Sequence, residues 1–195
     1  LFSIVQPTAQ ALFQVDTEGA LLTRRAFVGV FFQGRYNLAG EFDLLSEAVR
    51  VEGKLLPKRQ LVFFAQVDPS RRFPRVGING FLGEEVDYAN ARVGDGGELG
   101  LTATVRPTDH LELAANTDLQ WLDVTNEAGL RGRLFTAFVG RLKATYNFSA
   151  RTSLRLIGQW VGTDRNPQLY TFPVSESDGA FTGSALFAYR LNWQT

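Results

Sequence analysis

Hydrophobic and polar residues alternate with a period of two through most of the second half of the chain. In the segment 98–106 the odd positions are apolar, whereas the even positions are polar or glycine. Successive side chains of a strand point to opposite faces, so this segment is predicted as a strand with one apolar and one polar face. The same alternation predicts strands at 110–123, 133–148, 153–160 and 184–194.

The first half of the chain follows the same rule less cleanly. Alternation predicts strands at 36–44, 49–55 and 61–67, and apolar runs predict two more at 10–15 and 21–33. Residues 1–5 are interpreted as the remnant of a further strand. The chain is therefore predicted to hold about ten strands.

The predicted connections between these strands alternate in length. Tight connections are expected at 6–8, 34–35, 56–59, 106–109 and 149–152. The intervening connections are expected at 16–19, 45–47, 68–97, 124–131 and 162–180, and this second set holds every long one. Membrane barrels place tight turns at one rim and long loops at the other, so this sorting favours a membrane barrel over a soluble sandwich.

The polar face of the predicted strands carries charged residues in mid-strand. The chain has no run of about 18 apolar residues, so a closed sheet is the remaining way to span a bilayer. Because an Arg or Lys facing the bilayer midplane costs about 2–4 kcal/mol, the polar sets are expected to face a lumen. Since they carry both signs, we expect a cross-paired or hydrated lumen. The expected lumen-facing residues are Glu41, Asp43, Arg50, Glu52, Lys54, Glu112, Asn116, Asp118, Arg133, Arg141, Lys143, Arg155, Gln159 and Arg190.

Aromatic residues cluster at the ends of the predicted strands. Rings at the two membrane–water boundaries would form two belts. One belt is expected beside the tight connections, and Trp121 and Trp160 are expected in the other. The members beside the tight connections are Tyr36, Tyr146, Phe148, Tyr189 and Trp193.

Composition narrows the chemistry that the chain can perform. It has no Cys, a single His (His110) and equal numbers of acidic and basic residues, 20 of each. These facts exclude disulfides and thiolate sites, and they give no electrostatic reason to expect nucleic acid. The Gly94–Gly97 run lacks a nucleotide-binding spacing and is interpreted as a loop-to-strand turn. No catalytic residue, metal site or cofactor is predicted, and acidic residues between 84 and 98 are interpreted as solvated loop charge.

The segments 141–170 and 179–195 resemble the C-terminal part of a family of large bacterial outer-membrane proteins. The turn at 146–149, the strand 151–159 and the ending Leu191–Thr195 carry the resemblance. It implies a membrane barrel of unassigned function that follows a carbohydrate-binding-like sandwich domain. The resemblance covers only the barrel part of that family, so no sugar-binding role is implied for this chain.

We therefore predict an all-β, antiparallel, up-and-down transmembrane β-barrel of the bacterial outer membrane. Residues 1–195 are expected to form one segment of a larger barrel, truncated at both ends. The predicted function is a pore, a transporter shell or a membrane scaffold, with lipid and other envelope proteins as partners. The alternatives are a soluble all-β binding module, either a lipocalin-like barrel or a sandwich, and a barrel hydrolase that would depend on His110.

Overall fold

The chain folds into one antiparallel sheet. A computed structural model describes residues 3–15, 21–34 and 36–191, with side chains from residue 33 onward. Short 3-10 helices lie at Tyr88–Asn90 and Pro167–Leu169. The strands are β1 Ser3–Val15, β2 Leu21–Gln33, β3 Ala39–Val51, β4 Lys54–Val67, β5 Arg75–Asp87, β6 Arg92–Val105, β7 Leu111–Thr125, β8 Arg131–Asn147, β9 Thr152–Arg165 and β10 Ser177–Tyr189.

Each strand pairs with the next in chain order, from β1 to β10. Every pairing is antiparallel, which confirms the all-β, up-and-down prediction. Within the described part of the chain the sheet is open, with β1 and β10 as its two edges. The last eight strands, β3 to β10, also have described side chains.

Strands β7, β8 and β9 lie within two residues of the predicted positions at their first residues. Alternation over most of each of these strands located them. The predicted strand 21–33 coincides with β2. The connection predicted at 6–8 is wrong, because β1 continues through it with a register shift between Ile4 and Gln6. The turn predicted at 16–19 lies outside the described residues.

Strands β3 and β4 form one hairpin, so the connections predicted at 45–47 and 56–59 are wrong. Ser46 breaks the apolar pattern of β3 but pairs with Arg59 inside the ladder. Pro57 lies within the predicted turn 56–59, yet it pairs with Ala48 in the β3–β4 ladder. Strand β5 pairs with β4 only from Gln60 onward, so Pro57 has no partner on its other side. A proline is tolerated in a strand where no ladder hydrogen bond is needed. The true turn is Glu52-Gly53, with positive φ at both residues.

The long loop predicted at 68–97 is wrong, because it contains β5 and the start of β6. The Gly94–Gly97 run is part of β6 and not a turn. A Cβ at Gly97 would lie 2.6 Å from the Trp121 ring and 2.9 Å from Leu82. Glycine is present here because neighbouring side chains occupy the space above it, not because the chain turns.

The corrected strand positions remove the sorting of loop lengths. One end of the sheet, here called the turn end, holds the connections 34–38, 68–74, 106–110 and 148–151. The other, the strap end, holds 52–53, 88–91, 126–130 and 166–176, and the last of these is here called the strap. Long and short connections occur at both ends, so the predicted alternation of loop length is wrong.

A small hydrophobic cluster lies at the strap end. It consists of Leu122, Val124, Leu134 and Leu169, with Phe135 and Tyr170 packed against it. Among the residues with described side chains, Val86 and Ala91 are the other buried hydrophobic residues. A sheet of this size therefore has no extended core beneath either face.

We predict that Gly80→Ala destabilises the sheet, because a Cβ at this position would overlap the carbonyl oxygen of Glu98 on the paired strand. Overpacking of this kind costs about 1–3 kcal/mol. Gly158→Ala is the matched control, since its Cβ would lie 3.4 Å from the Phe181 ring, an ordinary contact. Urea unfolding followed by tryptophan fluorescence measures both variants, and equal midpoints would contradict this account of β5–β6 packing.

Candidate functional site

The two faces of the sheet differ in composition and in exposure. On β3 and β4 one set of alternate residues is apolar and exposed, as at Leu44, which is 63% exposed. The other set is polar and more buried, as at Gln60, which is 6% exposed. We call these the apolar face and the polar face. The larger side chains are thus the exposed ones, the reverse of a soluble sheet packed on its own core.

Cross-strand register extends the apolar face through the rest of the sheet. Directly opposed residues lie on the same face, so each register row can be followed from strand to strand. Aromatic rings cover the glycines of this face, with the Trp160 ring over Gly162 and Gly179 and the Phe181 ring over Gly158. One such row is Phe42, Phe63, Gly80, Leu99, Leu119, Phe138, Gly162 and Gly179.

The apolar face ends at a row of paired charges near the strap end. Arg59 binds Glu84, Arg131 lies 3.0 Å from Asp95, and Arg133 lies 2.5 Å from Asp123. Glu84, Asp95 and Asp123 are consecutive partners in register, immediately beyond the row that contains Trp121. This row is called the charged border. The Arg133 guanidinium carbon lies 6.0 Å from the centre of the Trp121 ring.

Most of the predicted aromatic residues with described side chains lie near an end of the apolar face, but Trp160 does not. Tyr146 pairs with Leu111 at the turn end, and its ring makes an edge contact with Phe148 at 4.8 Å. Tyr189 lies at the turn end of β10, while Tyr36 lies in the 34–38 connection and not in a strand as predicted. Trp121 adjoins the charged border, whereas Trp160 lies in the row of Thr117 and Gly140, in the middle of the strands and not at the predicted end. Trp193 lies outside the described residues.

Most of the predicted lumen-facing residues share the polar face. Glu41, Asp43 and Lys54 do so on β3 and β4, and Gln159 pairs with Arg141 on β9 and β8. The others on this face are Glu112, Asn116, Asp118, Lys143 and Arg155.

Four members of the predicted set do not lie in a strand on the polar face. Arg50 lies on the opposite face of β3, because the wrongly placed turn at 45–47 inverted its parity. Arg133 pairs with Asp123 in the charged border, across a bulge that shifts the register of β8. Glu52 lies in the β3–β4 turn, and Arg190 follows β10.

The strap crosses the polar face at the strap end and joins distant strands. Its Leu169 carbonyl accepts a 2.7 Å hydrogen bond from Arg92, and Thr171 donates a hydrogen bond to Asn90. Arg92 is held in turn by Asp87 at 2.7 Å. Leu169 fills the cluster formed by β7 and β8, so the strap connects the β5–β6 hairpin with β8. Burial raises the pKa of the Tyr170 phenol above its ordinary value.

The strap was not foreseen from the sequence. Residues 162–180 were predicted only as a long loop, and nothing local indicates that Leu169 is buried. The local sequence pattern that indicates a short helix in the strap is Asn166-Pro167. Asn166 caps this helix by accepting a hydrogen bond from the Gln168 amide. Its partners on β5–β6 lay within the segment that was wrongly predicted to be a loop.

The motifs weighed for catalysis have structural partners. His110 lies 2.8 Å from the carbonyl oxygen of Asn147 through Nδ1, and its ring lies beside Tyr146. Glu84 and Glu85 bind Arg59 and Lys58. Over the described residues, no group of three or more potential metal ligands comes together. Within the same residues, no helix has the length and apolarity that a membrane span requires.

No family profile and no curated protein matches this chain in sequence. Among solved structures, the chain is similar to OmpT (in-vitro folded), an outer membrane protein of Vibrio cholerae. The identity is 11% and the TM-score is 0.48, over 95% of this chain. The match spans 63% of the OmpT chain.

We predict that Leu169→Ala releases the strap from the polar face. Deleting a buried leucine side chain costs about 2–5 kcal/mol, and here the loss falls on the contact that holds the strap. Limited proteolysis should then cleave within 166–176 much faster than in the wild type. Phe172→Ala is the control, because Phe172 is exposed on the same strap. If both variants resist cleavage equally, the strap does not depend on Leu169.

Proposed function

We propose that this chain forms part of the wall of a bacterial outer-membrane β-barrel, with the apolar face toward lipid and the polar face toward a lumen. The observation that carries the proposal is the exposure of the apolar face. On β3 and β4 its exposed side chains include Phe42, Leu44 and Leu61, while the polar residues Glu41, Asp43 and Gln60 between them are half-buried or buried. Phe64 on the polar face is an exception, at 39% exposed. A curved sheet shields the side chains on its concave side, so this pattern supports a concave polar face.

A soluble barrel or sandwich requires the opposite arrangement. Soluble sheets bury their apolar face against a second layer or inside a closed barrel. Here a contiguous apolar surface lacks any covering layer among the described residues, and monomeric soluble proteins rarely expose patches of that extent. The hydrocarbon core of a bilayer would cover this apolar surface.

The height of the apolar face matches a bilayer. From the row of Leu111 to the row of Trp121, β7 rises about 33 Å at about 3.3 Å per residue. A tilt of about 40° reduces this to about 25 Å, the height of the apolar band of outer-membrane barrels. The charged border then falls at the membrane–water boundary, where ion pairs are solvated.

An apolar groove on this face suits a lipid acyl chain. Its volume is about 560 Å³, and small residues at Ala115, Gly140 and Gly158 form its floor between Leu142 and Trp160. We place the strap end at the cell surface on the strap alone, because it is the longest connection between described strands and the longest loops of such barrels are extracellular; the other connections do not differ in length between the two ends. In this orientation the strap narrows the external mouth of the lumen, which favours a restricted pore or transporter shell over an open channel.

The two faces are tested by adding one charge to either side of β8. Phe138 lies on the apolar face, and its neighbour Ala137 lies on the polar face. We expect Phe138→Arg to lower the free energy of unfolding from lipid vesicles by about 1–2 kcal/mol, because Phe138 lies between the midplane, where a lipid-facing arginine costs about 2–4 kcal/mol, and the interface, where it costs about 0–1 kcal/mol. Ala137→Arg, the matched control, should change it by less than about 1 kcal/mol because that side chain meets water.

A larger loss for Ala137→Arg than for Phe138→Arg would contradict the proposed orientation. A wild-type protein that stays monomeric in buffer without detergent, and does not insert into vesicles, would favour the soluble binding module instead.

A further inference from the structure

Charge on the polar face is divided along the strands. The rows near the turn end, from β5 to β9, hold five cationic side chains and one carboxylate, Glu112. The rows toward the middle hold Glu98 and Asp118, and the rows at the strap end hold both signs. The five cations are Arg75, Arg106, Arg141, Lys143 and Arg155.

Most of these cations have no counter-charge in the described part of the chain. Arg106 lies 2.9 Å from Glu112, and it is the one cation of the five that makes an ion pair with a described residue. The other four make no ion pair with a described residue, although Arg92 and Lys58 nearer the strap end are both paired. Like charges gathered on one face repel one another and concentrate anions from solution.

A cavity adjoins the cluster at the turn end. Its volume is about 720 Å³, and Arg71, Arg72 and Arg106 line it. The Arg72 carbonyl accepts a 2.7 Å hydrogen bond from the Arg106 amide, which fixes the 68–74 connection against β6. Thr108, His110 and Asn147 add further polar groups, and Asp109 and Glu112 are the acidic lining residues. The cavity therefore extends the cationic rows and includes donors suited to oxyanions.

We propose that this cavity and the adjoining rows bind a multivalent phosphate-type anion. Arginine offers a planar fork of N–H donors that matches phosphate oxygens, so several arginines around one cavity favour phosphate over chloride. The placement in the lumen rests on the proposed function, whereas anion binding itself does not. The anion neutralises charges that the described residues leave unpaired.

Isothermal titration of the purified protein with inorganic pyrophosphate in a non-ionic detergent tests the site. Two double variants, Arg71→Gln/Arg72→Gln and Arg141→Gln/Lys143→Gln, each remove two positive charges, from the cavity and from the adjoining rows respectively. We expect each to weaken binding by about tenfold or more, since hydrogen bonds to charged groups are lost. The control Arg131→Gln/Arg133→Gln removes the same charge from the charged border and should leave the affinity within about twofold.

Circular dichroism establishes that each variant keeps its sheet. If one double variant fails to fold, the other still tests the site. Equal weakening in the control, or no heat of binding in the wild type, would overturn the proposal. Repeating the titration in nanodiscs with and without phosphatidylglycerol separates the two sources of phosphate. Competition by that lipid identifies a headgroup as occupant, and an unchanged affinity identifies a soluble anion. Pyrophosphate binding by a protein that fails to enter vesicles would refute the proposed function but not this site.

Discussion

Antiparallel pairing in register aligns the exposed apolar residues of β3 to β10 on one side of the sheet, and the other properties of the sheet depend on this alignment. Directly opposed residues share a face, so a row such as Leu44, Leu61, Leu82 and Gly97 continues across four strands. A shift of one residue would move each apolar set to the polar face. The contrast between the two faces is therefore a property of the pairing as much as of the sequence.

The sequence predicted the strands where alternation was unbroken and failed where a single residue interrupted it. Strands β7 to β9 were located because apolar and polar residues alternate over most of their length, and the bulge in β8 falls close to its first residue. Turns were wrongly predicted around Ser46 and Pro57. A strand tolerates a polar residue on an exposed face, and it tolerates a proline where no ladder hydrogen bond is needed. The hairpin β5–β6 was missed because its glycines, such as Gly97, lie beneath side chains of adjacent strands, and no local pattern reveals such packing.

The candidate site was predictable only in part, for the same reason. One misplaced turn inverted the parity of Arg50, and a bulge in β8 moved Arg133 to the charged border. Arg75 was overlooked because it lay in the segment 68–97 that was predicted as a loop, and Arg106 was placed on the polar side of the strand 98–106 but not among the expected lumen-facing residues. With the corrected register the cations gather at one end of the polar face, whereas the sequence predicted mixed charge throughout. The predicted sorting of loop lengths favoured a membrane barrel, but the structure does not show that sorting. The exposure of the apolar face is the observation that now supports the membrane interpretation.

Site-directed spin labelling in lipid vesicles tests the central claim most directly, because the chain has no native cysteine to interfere. Labels are attached separately after Phe138→Cys and Ala137→Cys, two adjacent positions on opposite faces of β8. Oxygen concentrates in the bilayer core, whereas a water-soluble nickel chelate stays in water. If residue 138 faces lipid, oxygen should be the stronger relaxing agent for its label, and the nickel chelate should be the stronger one for the label at residue 137. Stronger relaxation by nickel at 138 than at 137 would contradict the account.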